Sequence, residues 1–273
     1  MKKRFMWIIL ILVIVALSIK IYLDTNDFKV NTVQLESNKM PESTEITLVQ
    51  ISDLHNHVFG DQNDNLIDTV KKLNADVIVI TGDLIDRGTE SFENMYDLIE
   101  KLTVINERIY FVSGNHEWDN EDTENFFNGL RERNVSLLNN TNTQIEVNGM
   151  MVNIVGVDDS STDHENIEEA FDGIDQEIYT ILLSHSPGIV SKYEAIPADL
   201  ILSGHTHGGQ VRVPFIGAIV APDQGFFPEL DKGTFTIGPE QTLYIDSGLG
   251  TSIAPIRFLN KSQMSYIRIT NNK

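Results

Sequence analysis

Hydrophobic residues are distributed along this chain in two regimes. The first is one block: residues 5–17 are apolar throughout, and residues 18–23 extend it with a single charge, Lys20, near the end. A run over 5–23 predicts a helix close to the ~20 residues that cross a bilayer core. The alkyl stem of Lys20 can carry its ammonium to the interface. The second regime starts at Ile46 and is periodic. Residues 46–51 read as a strand; Leu66, Ile67, Val70 and Leu73 have helical spacing; 77–80 is an apolar run suited to a strand buried on both faces. Phe92, Tyr96, Ile99 and Leu102 mark a second helix, 109–112 another strand, and Phe126, Phe127 and Leu130 a third helix. Beyond these the texture is strand-rich. Segments 144–147 and 150–157 flank Asn148-Gly149, a dipeptide suited to a tight type I′ hairpin turn, and strands are predicted at 178–183, 200–202, 242–245 and 266–269.

Alternating βα units followed by strands predict an α/β fold: a four-layer α-β-β-α sandwich with two facing mixed sheets, preceded by one N-terminal transmembrane helix. Residues 1–23 are the anchor. Residues 24–45 are polar, carry Pro41 and show a weak strand pattern at Val30, Val33 and Leu35, so they read as a tether and lead-in strand. Residues 46–273 read as one domain.

Charge sharpens this division. The chain has 20 basic and 40 acidic residues, a formal −20; residues 1–23 hold four of the basic and none of the acidic ones, leaving a body at −24. Lys2, Lys3 and Arg4 place the short N-terminus inside, so the body is expected on the extracytoplasmic side of the cell membrane, single-pass. A cleaved secretory signal, with Ala16 and Ser18 before the cut, is the alternative. So acidic a body has no basic stripe with which to track nucleic acid, and none is expected as a partner. Cysteine is absent. That excludes disulfides, a thiolate nucleophile and any Cys-ligated zinc or iron–sulfur site, and an enzyme here must work with oxygen and nitrogen donors.

Such donors gather where apolar runs end. The polar clusters are Ser52-Asp53-Leu54-His55, then Thr81-Gly82-Asp83-Leu84-Ile85-Asp86-Arg87, then Ser113-Gly114-Asn115-His116-Glu117. Ser184-His185 and Ser203-Gly204-His205-Thr206-His207 follow. Ligands of open α/β sheets bind beyond the carboxyl ends of strands. Five of the seven histidines fall in these clusters; His57 and His164 do not, and read as a loop histidine and a solvent-facing one. The donors Asp53, His55, Asp83, Asn115, His185, His205 and His207 are too many for one open zinc site. They suit two metals about 3.5–4 Å apart with one bridging carboxylate. A glycine before Asp83, Asn115 and His205 fits a sharp strand-to-loop turn.

The ordered set D-x-H, G-D-x-x-D-R, G-N-H-E, H and G-H-x-H, from Asp53 to His207, resembles the calcineurin-like metallophosphoesterases. The segment from Gly204 to Pro214, with Ser247-Gly248-Leu249-Gly250-Thr251-Ser252 and Pro255-Ile256-Arg257-Phe258, is similar to their bacterial, often membrane-anchored branch, which includes a UDP-diacylglucosamine pyrophosphohydrolase. The resemblance implies a metallophosphoesterase domain. One divalent metal would be held by Asp53, His55, Asp83 and His207, and a second by Asp83, Asn115, His185 and His205, with Asp83 bridging. It makes His116 the residue that protonates the leaving oxygen, with Asp86 orienting it and Arg87 against Asp86 or the substrate phosphate. A metal-bridging hydroxide would attack phosphorus in line, with no covalent intermediate. Imidazole, carboxylate and amide donors accommodate several metals; the resemblance favours manganese, with zinc or iron as alternatives.

The expected substrate is a small or lipid-linked phosphoester, either a phosphodiester or a pyrophosphate. Residues 213–230, rich in Val, Phe, Ile and Pro, could hold an acyl chain, dip into lipid, or fold back on the core. The alternatives are an exported phosphomonoesterase, a catalytically idle membrane-anchored binding protein, and a nuclease; the acidic body opposes the last. Nothing in the sequence fixes the oligomeric state.

Overall fold

The computed structural model describes residues 2–239, 241–252 and 254–271. It opens with helix α1 (Lys2–Asn26), whose residues 5–19 are all exposed. Its 25 residues are long and apolar enough to cross a membrane. Strands β1 (Phe28–Glu36) and β2 (Glu45–Ile51) lead into α2 (Asp64–Leu73), β3 (Val77–Thr81), α3 (Glu93–Ile105) and β4 (Ile109–Val112). Next come the single turn α4 (Asn115–Trp118), α5 (Thr123–Glu132), β5 (Ser136–Leu137), and the hairpin of β6 (Thr141–Val147) and β7 (Met150–Gly156). Asn148 and Gly149 both take positive φ, 52° and 78°, as a type I′ turn demands. The chain continues through α6 (Ile167–Ala170), β8 (Thr180–Leu183), α7 (Ile189–Lys192) and β9 (Leu200–Ser203). A 3₁₀ turn at His207–Gly209 precedes two short hairpins, β10 (Arg212–Val213) with β11 (Gly217–Ala218), and β12 (Val220–Ala221) with β13 (Gly225–Phe226). Strands β14 (Gly233–Thr236), β15 (Thr242–Ile245) and β16 (Ser262–Thr270) complete the fold.

The strands form two six-stranded mixed sheets, ordered β1-β16-β2-β3-β4-β5 and β14-β15-β9-β8-β7-β6. Their period-2 alternation sorts the side chains into layers. In β2, Val49 and Ile51 join the cluster under the helices, while Ile46 and Leu48 join the one between the sheets. In β3, Ile78 and Ile80 divide from Val77 and Val79 in the same way. From the second sheet, Ile181, Leu183, Leu200 and Leu202 enter the shared middle layer, whereas Leu182 and Ile201 face outward onto Ala170 and Ile189. Helices α2, α3 and α5 cover the outer face of the first sheet with Leu66, Val70, Leu98, Leu102, Phe126 and Leu130. Three apolar clusters between four layers make the predicted α-β-β-α sandwich.

Residues 28–36 do more than lead in: β1 pairs in parallel with β16 along its whole length, from Phe28↔Ser262 to Glu36↔Thr270. The end of α1 is also tied down. Asp24 and Thr25 are buried, and the Arg257 backbone N–H donates to Thr25 Oγ1 at 2.8 Å. Near the carboxyl ends of the strands one polar side chain joins the sheets: Gln50 Nε2 donates to Thr81 Oγ1 and to the Ser203 carbonyl, each at 2.9 Å.

Candidate metal centre

Asp53 and His55 follow β2, Asp83 follows β3, Asn115 and His116 open α4 beyond β4, His185 follows β8, and His205 and His207 follow β9. The sandwich brings the strand ends of both sheets together, so candidate ligands as distant in sequence as Asp53 and His207 meet. His55 Nε2 lies 3.1 Å from His207 Nε2 and 3.5 Å from Asp83 Oδ2. His207 Nε2 lies 3.6 Å from Asp53 Oδ1. Across the carboxylate of Asp83, His185 Nε2 is 3.3 Å from Oδ2 and 3.1 Å from His205 Nδ1. The donors thus form one group of Asp53, His55 and His207 and another of Asp83, His185 and His205, with a third, His55, Asp83 and His116, overlapping them. Asp83 stands between. Asn115 lies at the same strand end, and its Oδ1 is buried with no hydrogen-bond partner. A buried amide oxygen left bare is costly unless something coordinates it. An orphaned acceptor beside converging imidazole and carboxylate donors fits a pair of divalent cations.

The backbone is bent to serve this convergence. Asp53, His55, Asp83, His205 and His207 all have φ between 48° and 69°, the left-handed region that non-glycine residues rarely occupy. Of the three glycines read as turn residues, only Gly82 is left-handed, at φ 81°. Gly114 and Gly204 are required by crowding instead: an added Cβ would run into Asp83 Oδ1 at the first and into Ser52 Oγ and Asp53 Oδ2 at the second. The strand ends are stitched by Asp53 N–H to the Gly82 carbonyl at 3.1 Å and His55 N–H to the Asp83 carbonyl at 3.0 Å. The His205 and His116 amides donate to Asp53 Oδ1 and Asp83 Oδ1 at 2.9 and 3.0 Å.

Electrostatics separate the imidazoles. Burial drives His207 well below its ordinary value, and the neighbouring His55 and Arg257 push the same way. Burial also lowers His55, against the pull of Asp83. At His185 burial is outweighed by the carboxylates of Asp83, Asp53 and Asp159, which hold it well above the usual range. Asp83 is correspondingly low despite its burial, because His185, His55 and His116 face it. His55 and His207 are thereby poised as lone pairs and Asp83 as an anion, the states in which they can hold a metal.

His116 lies at the rim of the cluster. Its Nδ1 is 3.2 Å from Asp86 Oδ1 and accepts from the Arg87 backbone N–H at 3.2 Å. Arg87 Nη2 is 3.2 Å from His116 Nε2, and its Nη1 pairs with Asp119 at 3.2 Å rather than with Asp86. Asp119 is thus an unforeseen partner. His57 and His164 stay outside: His57 packs on Phe59 with ring centroids 4.5 Å apart, and His164 stacks on Trp118 at 3.9 Å.

Three supporting side chains had no assigned role in the sequence. Glu117, fully buried, accepts from the amides of Asp83 and Gly114 at 2.8 Å each and so ties two ligand loops together. Burial, with Asp83 adding to it, pushes its carboxyl up to about 7. Arg257 is also fully buried; it donates to the carbonyls of Gly250 (2.8 and 2.6 Å) and Ser247 (2.7 Å), in the loop that runs past Asp53. Both lay inside quoted motifs. Asp223 did not: its Oδ2 sits 2.7 Å from His205 Nε2, on the face opposite Nδ1.

Residues 46–209 match the calcineurin-like phosphoesterase family. That is more than half of the chain, and the chain belongs to this family of metal-dependent phosphoester hydrolases. It is similar to YkoQ of Bacillus subtilis (strain 168), named as an uncharacterized metallophosphoesterase, at 29% identity over 95% of this chain and 97% of that protein. A metallophosphoesterase of Aquifex aeolicus (strain VF5) is 29% identical over 91% of this chain and 94% of its own length. A Bos taurus transmembrane protein with a metallophosphoesterase domain is 30% identical over 87% of this chain and 56% of its own length. Among solved structures, Haemophilus influenzae NAD nucleotidase superposes with a TM-score of 0.52 at 17% identity, covering 77% of this chain and 46% of that one. That likeness is one of fold.

Proposed function

We propose that this protein hydrolyses a phosphodiester or pyrophosphate bond on the extracytoplasmic side of the cell membrane, held there by α1. The catalytic unit is the domain of residues 46–273, with β1 supplied by the lead-in segment 24–45. Asp53, His55, Asp83 and His207 would hold one divalent cation, and Asp83, Asn115, His185 and His205 the other; manganese is our first assignment. The pair of cations, when bound, supplies charge that draws in the phosphoryl oxygens and makes water a competent nucleophile at neutral pH. The observation that carries this reading is the convergence on Asp83 of two ligand groups, beside the bare Oδ1 of Asn115.

The remaining chemistry belongs to this chain's own side chains. His116 is the proton donor to the leaving oxygen, and Asp86 and the Arg87 backbone N–H, each 3.2 Å from its Nδ1, position the ring. Arg87 offers a guanidinium half exposed at the same rim, held by Asp119, where it can meet a non-bridging phosphoryl oxygen. The test uses the full chain in detergent: metal content together with hydrolysis of bis-p-nitrophenyl phosphate and of the monoester, with and without Mn²⁺. About two metals per chain and a preference for the diester are expected. No hydrolysis with any divalent metal would overturn the reading. His116→Ala should abolish most turnover while leaving metal content near normal; parallel loss of metal would instead make His116 a ligand.

A further inference from the structure

The two short hairpins after the 3₁₀ turn place their apolar side chains in solvent. Phe215 and Phe226 are 110% and 77% exposed, and Phe227 and Ile216 are also exposed. The hairpin bases are packed: Ala218 and Ala221 are buried, and Ala218 lies against Gly209 in the turn that carries His207. Arg212 fixes this base through Asp231 Oδ2 at 2.6 Å and the Gly208 carbonyl at 2.9 Å. A firm base beneath bare aromatic tips is unlike a loop that merely failed to fold inward.

The surface continues toward the anchor. The Arg212 N–H donates to the Phe258 carbonyl at 3.0 Å, and the Phe258 N–H to the Gln210 carbonyl at 3.1 Å. The adjoining Arg257 N–H reaches Thr25 in the last turn of α1, and Ile256 and Leu259 on either side of this segment are exposed. Lys261 pairs with Asp27 at 2.5 Å just past the helix. The apolar tips, the 256–259 segment and the root of the anchor therefore form one stretch of surface. Its charge is distinctive as well. On a body of −24, residues 213–227 contain a single charged side chain, Asp223, and that one is engaged with His205. Elsewhere an acidic surface would be repelled by anionic headgroups; over residues 213–227 that repulsion is reduced to the one carboxylate of Asp223.

We infer that the hairpins over residues 212–226 are a second membrane contact, seated in the leaflet from which α1 emerges, so that the metal centre opens at the bilayer surface. The inference rests on α1 spanning the membrane, and it narrows the proposed substrate to a phosphoester borne by a lipid. A cavity of about 460 Å³ beside His205, walled by Ser186, Pro187, Pro222, Asp223, Phe227 and Glu229, adjoins these hairpins and offers part of such a substrate a place next to the candidate metal centre.

The absence of cysteine allows clean single-site labelling. Phe215→Cys and the control Val104→Cys, 88% exposed on α3, would each carry an NBD fluorophore on the full chain reconstituted in phosphatidylcholine–phosphatidylglycerol vesicles. Lipid-attached nitroxides should quench the label at 215 several-fold more than that at 104, with a blue-shifted emission. Equal quenching, with the chain still resisting carbonate extraction, overturns the second contact alone. If carbonate strips the chain from the vesicles, the anchor reading falls and the inference with it. As a functional arm, Phe215→Ser combined with Phe226→Ser should leave hydrolysis of soluble bis-p-nitrophenyl phosphate unchanged. The same variant should lose several-fold toward a diacylglycerol p-nitrophenyl phosphodiester in those vesicles. Unchanged hydrolysis of both substrates would overturn the lipid-borne assignment.

Discussion

Arg257→Met asks whether one buried guanidinium holds the floor of the metal centre. The arginine is fully buried, and burial pushes its ordinarily very basic group down to about 10, with Asp53, Asp246 and Asp24 opposing that shift. Methionine keeps the unbranched apolar stem but donates nothing. The Gly250 and Ser247 carbonyls would lose the guanidinium, while the His207 carbonyl keeps Asn260 Nδ2 at 2.7 Å. An orphaned buried acceptor costs about 1–3 kcal/mol, so two cost about 2–6. Relief of the guanidinium's own desolvation recovers part of this, leaving a net loss of about 3 kcal/mol. For a domain of this size 1 kcal/mol lowers Tm by about 2–4 °C, so a fall of about 6–12 °C is expected. The assay is thermal unfolding of the full chain in detergent with metal chelated, read through Trp118 fluorescence in a Trp7→Phe background. Arg257→Lys should lie between, since one ammonium can reach only part of the set. A fall in Tm below about 2 °C for the methionine variant would refute the claim that Arg257 fastens these loops.

Two further changes probe the site and its pH response. Asp223→Ala removes the carboxylate behind His205; losing such an outer partner typically weakens a metal by about 10–100-fold, which calorimetric Mn²⁺ titration would detect, and saturating metal should restore most turnover. Unchanged affinity would make the contact incidental. Asp158, buried and accepting from Ser113 Oγ at 2.7 Å, is raised to about 6, chiefly by burial, so the folded state holds its proton more tightly than the unfolded chain. Its stability contribution is complete below the unfolded value near 4 and is lost as pH rises through 6, about 3 kcal/mol in all. Asp158→Asn should therefore show a visibly shallower decline in Tm between pH 4 and 6.5, measured without metal; parallel curves would count against it.

Most of the sandwich was legible because its central strands are buried on both faces. Residues 77–80 and 109–112 could be read as apolar runs for that reason, and the helices over them carry wide apolar stripes. Edge elements were harder. β14 alternates partly buried and exposed positions on a weakly apolar Gly-Thr-Phe-Thr stretch, and β5 is two residues long, too short to show a period. β1 gave only a faint pattern, since its place beside β16 is fixed by a partner 234 positions away. The candidate ligands stood out because Asp, Asn and His follow directly on strand ends, which the two sheets then bring together. Asp223 carried no such mark. It reaches His205 only because two hairpins fold back across the turn, and that geometry has no local signature. The role of Gly114 and Gly204 was read as turning and is crowding, a distinction that needs the neighbour as well as the chain.

The placement of β16 bears on how the molecule can be made. This strand fills the slot between β1 and β2, yet it lies some 210 residues beyond them in the order of synthesis. Until residues 262–270 arrive, β1 has no neighbour and β2 presents a bare edge of backbone donors and acceptors. Assembly of the first sheet is thus a late, long-range closure, slow for its size and open to mispairing in the meantime. Substitutions in β16 should act on yield and refolding before they touch turnover, although no residue of that strand is a candidate ligand.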